Sequence, residues 1–469
     1  MSDLWIHDVE VDGRRCDVAV ADGVVADVRP RSGPHGPSGS HDVDGLEGVD
    51  GTGGALIPGL HDHHLHLLAM ASAAESVDCS RGVVHDLDGL AAALRNAPAQ
   101  PEWIRGVGYH ESVAGDLDRH RLDLLVPDRP VRLQHRSGAL WMLNTPALVR
   151  VAAALDGSTD VERAPDGAPT GRLWRYDDRL RAALPPAPPS LAPIGQQLAG
   201  YGVTGVTDAT PELDPTGLRI LTDAVTSGDL PQRLTLLGAP LDEPLPAGIA
   251  AGPRKLHLRD HELPTFDELV AVIEATHAAG RAVAIHCVTR LSLLLSLAAL
   301  QTVGARPGDR IEHAAVVPPE QRAQLRDLGL RVVTQPDFLR MRGRDYLRDV
   351  DAADLPLLYP YASLLAAGVP TCASSDAPYG SADPWQVIAS AVARSTDDGA
   401  VLGADERVDA AAALAGYLSD PADPGGAPRR VRVGAAADLV LLDRPLGRAL
   451  AQPSADHVAA VWIAGRRVR

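Results

Sequence analysis

Short apolar runs alternate along most of this chain with longer stretches of helical spacing, and many of the runs end on a residue able to hold a metal or move a proton. Ala282-Val283-Ala284-Ile285 stops at His286, Arg310-Ile311-Glu312 at His313, and Val369 to Ser375 at Asp376. A short β-branched run bounded by turn residues predicts a buried strand. Phe266 to Ala279 and Leu291 to Val303 carry the apolar periodicity of helices between them. Eight strands are predicted, near residues 55–62, 203–208, 232–238, 254–258, 282–287, 310–314, 331–336 and 370–375. Strands alternating with helices mean a parallel sheet, and eight such units can close a (β/α)8 TIM barrel with its active site at the strand C-termini. The fold class is α/β.

The two ends of the chain follow a different period. Arg15 to Val20 and Gly23 to Val28 alternate apolar and polar residues with turn residues between them, and 431–469 does the same. These segments predict short antiparallel strands. Residues 1–53 and 430–469 are read as one small β-sandwich, leaving 54–429 to the barrel. Residues 70–200 break the barrel repeat and are read as an insertion after strand one, ending in the proline-rich Leu184 to Pro193. The insertion holds Trp103, Tyr109, Trp141, Trp174 and Tyr176, in a chain poor in aromatics. Aromatics mostly bury area, so core packing is their first expected role. A lid over the barrel mouth is the sharper one.

Candidate chemistry gathers at the predicted strand ends. His61-Asp62-His63-His64-Leu65-His66 follows the run Gly53 to Leu60, and residues two apart on a strand share a face. His64 and His66 can therefore address one ion, whereas His61 and His63 point the other way. Among 44 basic residues a single one, Lys255, is lysine. Arginine stays charged, but a buried lysine amine can lose its proton and react. Lys255 lies on the fourth predicted strand, so every candidate ligand falls at one end of the barrel.

Net charge and cysteines narrow the class. A formal charge of −17 without a basic stripe argues against nucleic acid or an anionic membrane as partner. Cys16, Cys79, Cys287 and Cys372 have neither CxxC spacing nor a disulfide framework. The start Met1-Ser2-Asp3-Leu4-Trp5 has no signal pattern, and Leu291 to Leu300 is too short to span a bilayer. A cytoplasmic enzyme acting on a small molecule is expected, with a homodimer left open as its assembly.

Pro58 to His66, Arg310-Ile311-Glu312-His313 and Ser374-Ser375-Asp376-Ala377-Pro378 resemble the amidohydrolase superfamily. With Gly167-Ala168-Pro169-Thr170-Gly171 and Ala437 to Asp443, the likeness covers nearly the whole chain and points to amidohydrolase family three, which includes N-substituted formamide deformylase-like enzymes. The resemblance implies His64 and His66 on one metal and His286 and His313 on a second. It also implies a CO2-derived carboxylation of Lys255 as the bridge between them, and Asp376 as both ligand and proton shuttle. Two ions, zinc for this donor set, would lie about 3.5–4 Å apart and acidify a bridging water. The expected reaction is hydrolysis of a non-peptide amide, formamide, carbamate or cyclic amide, with Asp376 as general base and then acid.

Three departures bear on substrate. His286 is followed by Cys287-Val288-Thr289-Arg290 where a Gly-Asp is usual, Asp260 by His261 where a glycine is usual, and Ala139 stands where many relatives have histidine. Tyr109, His110, Arg136 and Arg290 are the candidate pocket residues. A mononuclear zinc deaminase is the alternative within enzymes, but it needs a glutamate where Thr289 stands. A metal-free scaffold relative is the alternative outside them, but such a protein should have lost ligands.

Overall fold

The computed structural model describes residues 4–31, 47–98, 102–184, 189–241 and 244–469. The proline-rich stretch from Leu184 falls partly outside these residues, as does the link between the first terminal strands and residue 47. The chain forms two compact units, residues 1–67 with 191–469, and residues 68–190.

The larger unit holds a ring of parallel strands. Leu60–Leu65, Val203–Asp208 and Arg233–Leu236 run side by side, and Arg254–Leu256, Val283–Cys287, Arg310–His313, Arg331–Thr334 and Thr371–Ala373 continue the parallel order. The fourth strand is built in two pieces. Ile249–Ala251 pairs with the third strand and Arg254–Leu256 with the fifth, and Gly252-Pro253 separates them. Proline brings no N–H to a ladder, and a Cβ on Gly252 would lie 2.8 Å from Leu237, so this break suits these residues. Lys255 N donates to Leu237 O at 3.1 Å and joins the two halves there. At the opposite seam Asp376 N donates to His64 O at 2.8 Å and His66 N to Ala377 O at 2.9 Å, which closes the ring between its last and first strands.

Outside the fifth to eighth strands, helices such as Phe266–Ala278 and Arg290–Val303 pack Leu269, Ile273, Leu297 and Leu300 against Val283, Ile285, Ile311 and Val332. Burying each such side chain stabilises the fold by about 1.5–3 kcal/mol. Thr265 and Thr289 cap these helices with reciprocal side-chain bonds, which fixes where each begins.

The terminal segments form two four-stranded sheets that share one core. Leu4–Val11, Arg14–Ala21, Val24–Pro30 and Glu47–Asp50 make the first. Leu56–Pro58, Leu439–Leu442, Val458–Ile463 and Arg466–Arg467 make the second. Ile6, Val9, Val18 and Val25 pack with Leu56, Leu439, Leu441 and Trp462. One expectation is corrected here. The apolar run 55–58 is the edge of a terminal sheet, paired antiparallel with Leu439–Leu441, and the first barrel strand starts only at Leu60. The barrel boundary at residue 54 therefore falls too early.

The smaller unit carries a mixed six-stranded sheet in the order Val161–Arg163, Pro169–Trp174, Leu140–Leu143, Val131–His135, Ile104–Tyr109, Val77–Asp78. Tyr109 belongs to one of its cores, Trp141 and Tyr176 to another, with Trp103 and Trp174 packed against them. The expected packing role of the aromatics is what the unit displays. The insertion is also shorter than 70–200, because helix Ala192–Gly200 belongs to the barrel unit.

Candidate functional site

The first barrel strand is polar in sequence yet buried throughout, from Leu60 to Leu65. His61 and His63 point to its outer side. His61 Nε2 lies 2.9 Å from Thr207 Oγ1, and His63 Nε2 lies 3.0 Å from Ser419 Oγ and 3.2 Å from Gly416 O. A Cβ at position 205 would lie 2.5 Å from His61 Nδ1, so Gly205 leaves space for that ring. The strand's buried polarity is thus largely satisfied by hydrogen bonds, as burial requires.

His64 and His66 share the opposite face and meet Asp376. Asp376 Oδ1 lies 3.2 Å from His66 Nε2 and 3.6 Å from His64 Nε2, is buried, and makes no hydrogen bond. One ligand atom from each of the three residues lies within 4.8 Å of the others. Two imidazole nitrogens and an unpartnered carboxylate oxygen suit a divalent ion such as zinc, so the residues present fit one. The other residues singled out from the sequence join the same cluster. Lys255 Nζ is 3.2 Å from His64 Nε2, and the His313 ring centre is 4.9 Å from that of His64 and 4.4 Å from that of His286. His257, which the resemblance did not single out, stacks edge-on to His286 at 4.7 Å.

Backbone geometry aims two of these side chains. His313 and Asp376 adopt left-handed φ values of +68° and +49°, and Ala314 follows at +46°. Non-glycine residues held there cost about 1–3 kcal/mol each, a cost typical of functional sites.

The electrostatics favour ligand forms. Burial, reinforced by the Lys255 cation, lowers the His64 pKa to about 4 against the pull of Glu312 and Asp376. Burial lowers His313 to about 3, with Asp376 opposing and His64 and Lys255 assisting. His286 falls well below the ordinary range through burial, His313 and Lys255. All three rings are neutral near pH 7, which is the form that binds metals. For Asp376 burial pushes upward, but the adjacent His66, His64 and His313 outweigh it and hold the carboxyl well below its usual range. Burial brings the Lys255 amine down despite Glu312 and Asp376.

Partners behind the ligands escaped the sequence reading. Glu312 Oε2 accepts from His64 Nδ1, and Glu312 Oε1 accepts from Arg310 Nε at 2.5 Å, with Arg310 1% and Glu312 0% exposed. A carboxylate only accepts, so Nδ1 carries the ring proton and His64 Nε2 turns its lone pair to the site. Gln335 Oε1 holds His313 Nδ1 at 2.8 Å, and Thr210 Oγ1 lies 3.4 Å from His66 Nδ1. Asp62 Oδ1 accepts from His64 N at 3.1 Å, and burial pushes its pKa up to about 6. Arg310 and Glu312, two apart on a predicted buried strand, were the available signal. Opposite charges on one buried face need each other.

The candidate pocket residues are more dispersed. Tyr109 is buried in the smaller unit, where its hydroxyl donates to Gly115 O at 2.5 Å. His110 caps the helix Glu111–Ala114 of that unit, and Arg136 follows the strand Val131–His135. Arg290 opens a barrel helix and pairs with Asp354. Thr289, where a deaminase would place its glutamate, is that helix's N-cap and donates to Asp260. Among the described residues no helix is long and apolar enough to cross a membrane.

Residues 47–469 match a family model described as the amidohydrolase family. The chain is 27% identical over 459 residues to the N-substituted formamide deformylase of Arthrobacter pascens, covering 84% of each protein. A crystal structure of an uncharacterized metal-dependent hydrolase from Pyrococcus horikoshii superposes with a TM-score of 0.75 at 21% identity, over 94% of this chain and 98% of that one. A second, from Pyrococcus furiosus, gives 0.72 at 20% identity over 94% and 99%. At such identities these two structures speak for the fold.

Proposed function

The chain belongs to the amidohydrolase family, and from that premise we propose that it hydrolyses a carbon–nitrogen bond of a small non-peptide amide, with N-substituted formamides the first class to try. The observation that carries this reading is the meeting of His64, His66 and Asp376 beside the single lysine of the chain. In this reading His64 and His66 would hold one zinc ion and His286 and His313 a second, with Lys255 and Asp376 completing the set. Such ions, when bound, supply Lewis acidity to the scissile carbonyl and to a water.

The chain's own groups handle the protons. Asp376 is kept ionised by the imidazoles around it, so one of its oxygens can accept the proton of the attacking water. The same carboxyl then returns that proton to the departing nitrogen. Glu312 and Gln335 keep His64 and His313 in the ligand tautomer throughout. Burial of Lys255 favours its neutral amine, which is the form that adds CO2 and releases a proton to give a carbamate. In the same reading the two terminal sheets form one composite β-sandwich, which Arg233 ties to the barrel through Asp438.

The test is a screen of N-formyl, N-acyl and carbamoyl compounds with metal-replete enzyme, following amine release. Release of an amine that a chelator abolishes and zinc restores supports the proposal. Absence of hydrolysis across all three classes, in protein carrying its full metal content, would remove it. The mass of the intact metallated chain should exceed that of the sequence plus its bound metal by one CO2 if Lys255 is carboxylated.

A further inference from the structure

The smaller unit contains a second convergence of ligand-type side chains. Two of its strands, Ile104–Tyr109 and Val131–His135, run parallel with Tyr109 opposite His135. Each ends in the same local pattern, His110-Glu111-Ser112 and His135-Arg136-Ser137. In both, Nδ1 of the histidine lies 2.8 Å from the hydroxyl of the serine two residues on and accepts from that serine's backbone N–H at 3.1 Å. With Nδ1 held against its own chain, each ring turns Nε2 outward. The ring centres are 5.6 Å apart, and Glu111 reaches both, at 3.6 Å from His110 Nε2 and 3.0 Å from His135 Nε2. One ligand atom from each of the three residues lies within 4.8 Å of the others. The histidine side chains are 12% and 17% exposed and that of Glu111 54%, so the cluster is walled on the imidazole side and open on the carboxylate side.

We propose that His110, Glu111 and His135 form a binding site for one divalent borderline cation of the zinc type, separate from the barrel's ligand set. Two imidazoles and one carboxylate are a donor set that zinc takes with a fourth position left to water. A ligating imidazole needs its other nitrogen protonated and bonded to an oxygen. The hydroxyls of Ser112 and Ser137 stand at 2.8 Å to accept that proton, while each backbone N–H gives up the longer of the two bonds. Without an ion the tautomers reverse, and both Nε2–H groups face Glu111. The site is therefore a two-state element in which the cation takes the Nε2 positions and each ring keeps its one proton, moved to Nδ1.

Dialysis of the full chain against a buffer of fixed free zinc, followed by elemental analysis, tests this. The double variant His110→Gln/His135→Gln should hold one equivalent less than the parent. The variant His64→Asn/His66→Asn should retain that equivalent while losing metal from the barrel. Glu111→Gln, a change at an exposed side chain that leaves folding intact, should weaken the affinity of the same equivalent by at least the roughly 10–100-fold that even an outer-shell partner contributes. Equal zinc content and affinity in the parent, the double histidine variant and Glu111→Gln would overturn the proposal and leave a hydrogen-bonded turn pair.

Discussion

The two histidine clusters of this chain are braced in opposite ways. In the barrel, His64 is held by Glu312, His66 by Thr210 and His313 by Gln335, all on other strands or the loops that follow them. In the smaller unit, His110 and His135 are held by serines two residues away. The barrel cluster exists only when distant strands have been assembled, whereas each half of the other cluster can form inside one turn. The barrel arrangement also buries the His64 and His313 rings and depresses their pKa values to about 4 and about 3. Long-range bracing yields a dry and preorganised site, and local bracing yields an open one.

The largest effect should come from the barrel's proton carrier. Asp376→Asn keeps an oxygen but cannot take a proton at neutral pH, so turnover should fall by at least about 10²–10⁴-fold with metal largely kept. Near-normal turnover would transfer the role to another group, with His257 next to be tested.

Lys255→Ala should remove activity and one equivalent of metal, Lys255→Arg should be no better, and added short carboxylic acids should recover part of the alanine variant's rate. An active Lys255→Arg enzyme would sink the bridging role.

A change in the brace alone separates position from chemistry. Glu312→Gln leaves Arg310 buried without its counter-charge, and such breaks cost roughly 3–5 kcal/mol. It should also weaken zinc affinity by about 10–100-fold. Denaturant midpoints and metal competition read both, and an unchanged affinity would deny Glu312 its part in orienting His64.

Acidity sharpens the same contrast through stability. Below the ordinary histidine pKa of about 6.5 the unfolded chain takes up protons that buried His63, His64 and His313 refuse until about pH 3, 4 and 3. The unfolded state then binds more protons, so stability must drop as pH falls through that window. Asp62 acts in the other sense, because its raised pKa of about 6 favours the folded state on acidification. The histidines outnumber it, so chelated protein should melt at lower temperature at pH 5 than at pH 7. A flat profile would mean these rings are not kept neutral.

The smallest effect belongs to the local braces. Ser137→Ala removes one exposed hydroxyl beside His135 and should change stability by about 1 kcal/mol or less. A loss as large as that of Glu312→Gln would erase the distinction between the two clusters.

Much of the barrel was legible because its strands end where their chemistry begins. The runs before His286 and Asp376 are apolar enough to announce buried strands, and parity alone separated His64 and His66 from His61 and His63. The first strand was misplaced for the converse reason. Its buried positions are histidines and an aspartate satisfied by Thr207, Ser419 and the backbone of Ser375 and Gly416 far along the chain, so hydrophobicity pointed instead to 55–58. That segment pairs with Leu439–Leu441, and no local pattern encodes a partner so distant. The charged pair of Arg310 and Glu312 was visible as letters, but its target, His64, lies across the barrel. The repeated His-x-Ser of the smaller unit passed unnoticed because each copy reads as an ordinary turn.

The seam of the ring has a consequence of its own. The bonds from Asp376 N to His64 O and from His66 N to Ala377 O stitch the last strand to the first, and three of their four residues are those whose side chains converge. An ion held by His64, His66 and Asp376 would work as a clasp on a bracelet, fastening the two ends of the barrel at the point where it closed. Loss of the ion would first be felt as fraying along that seam, with amide protons of residues 64–66 and 376–377 exchanging sooner than those of the opposite wall. During synthesis the order is fixed as well. His64 emerges early and waits for nearly the whole barrel before Asp376 arrives, so the metal centre can be completed only by a chain that has already come full circle.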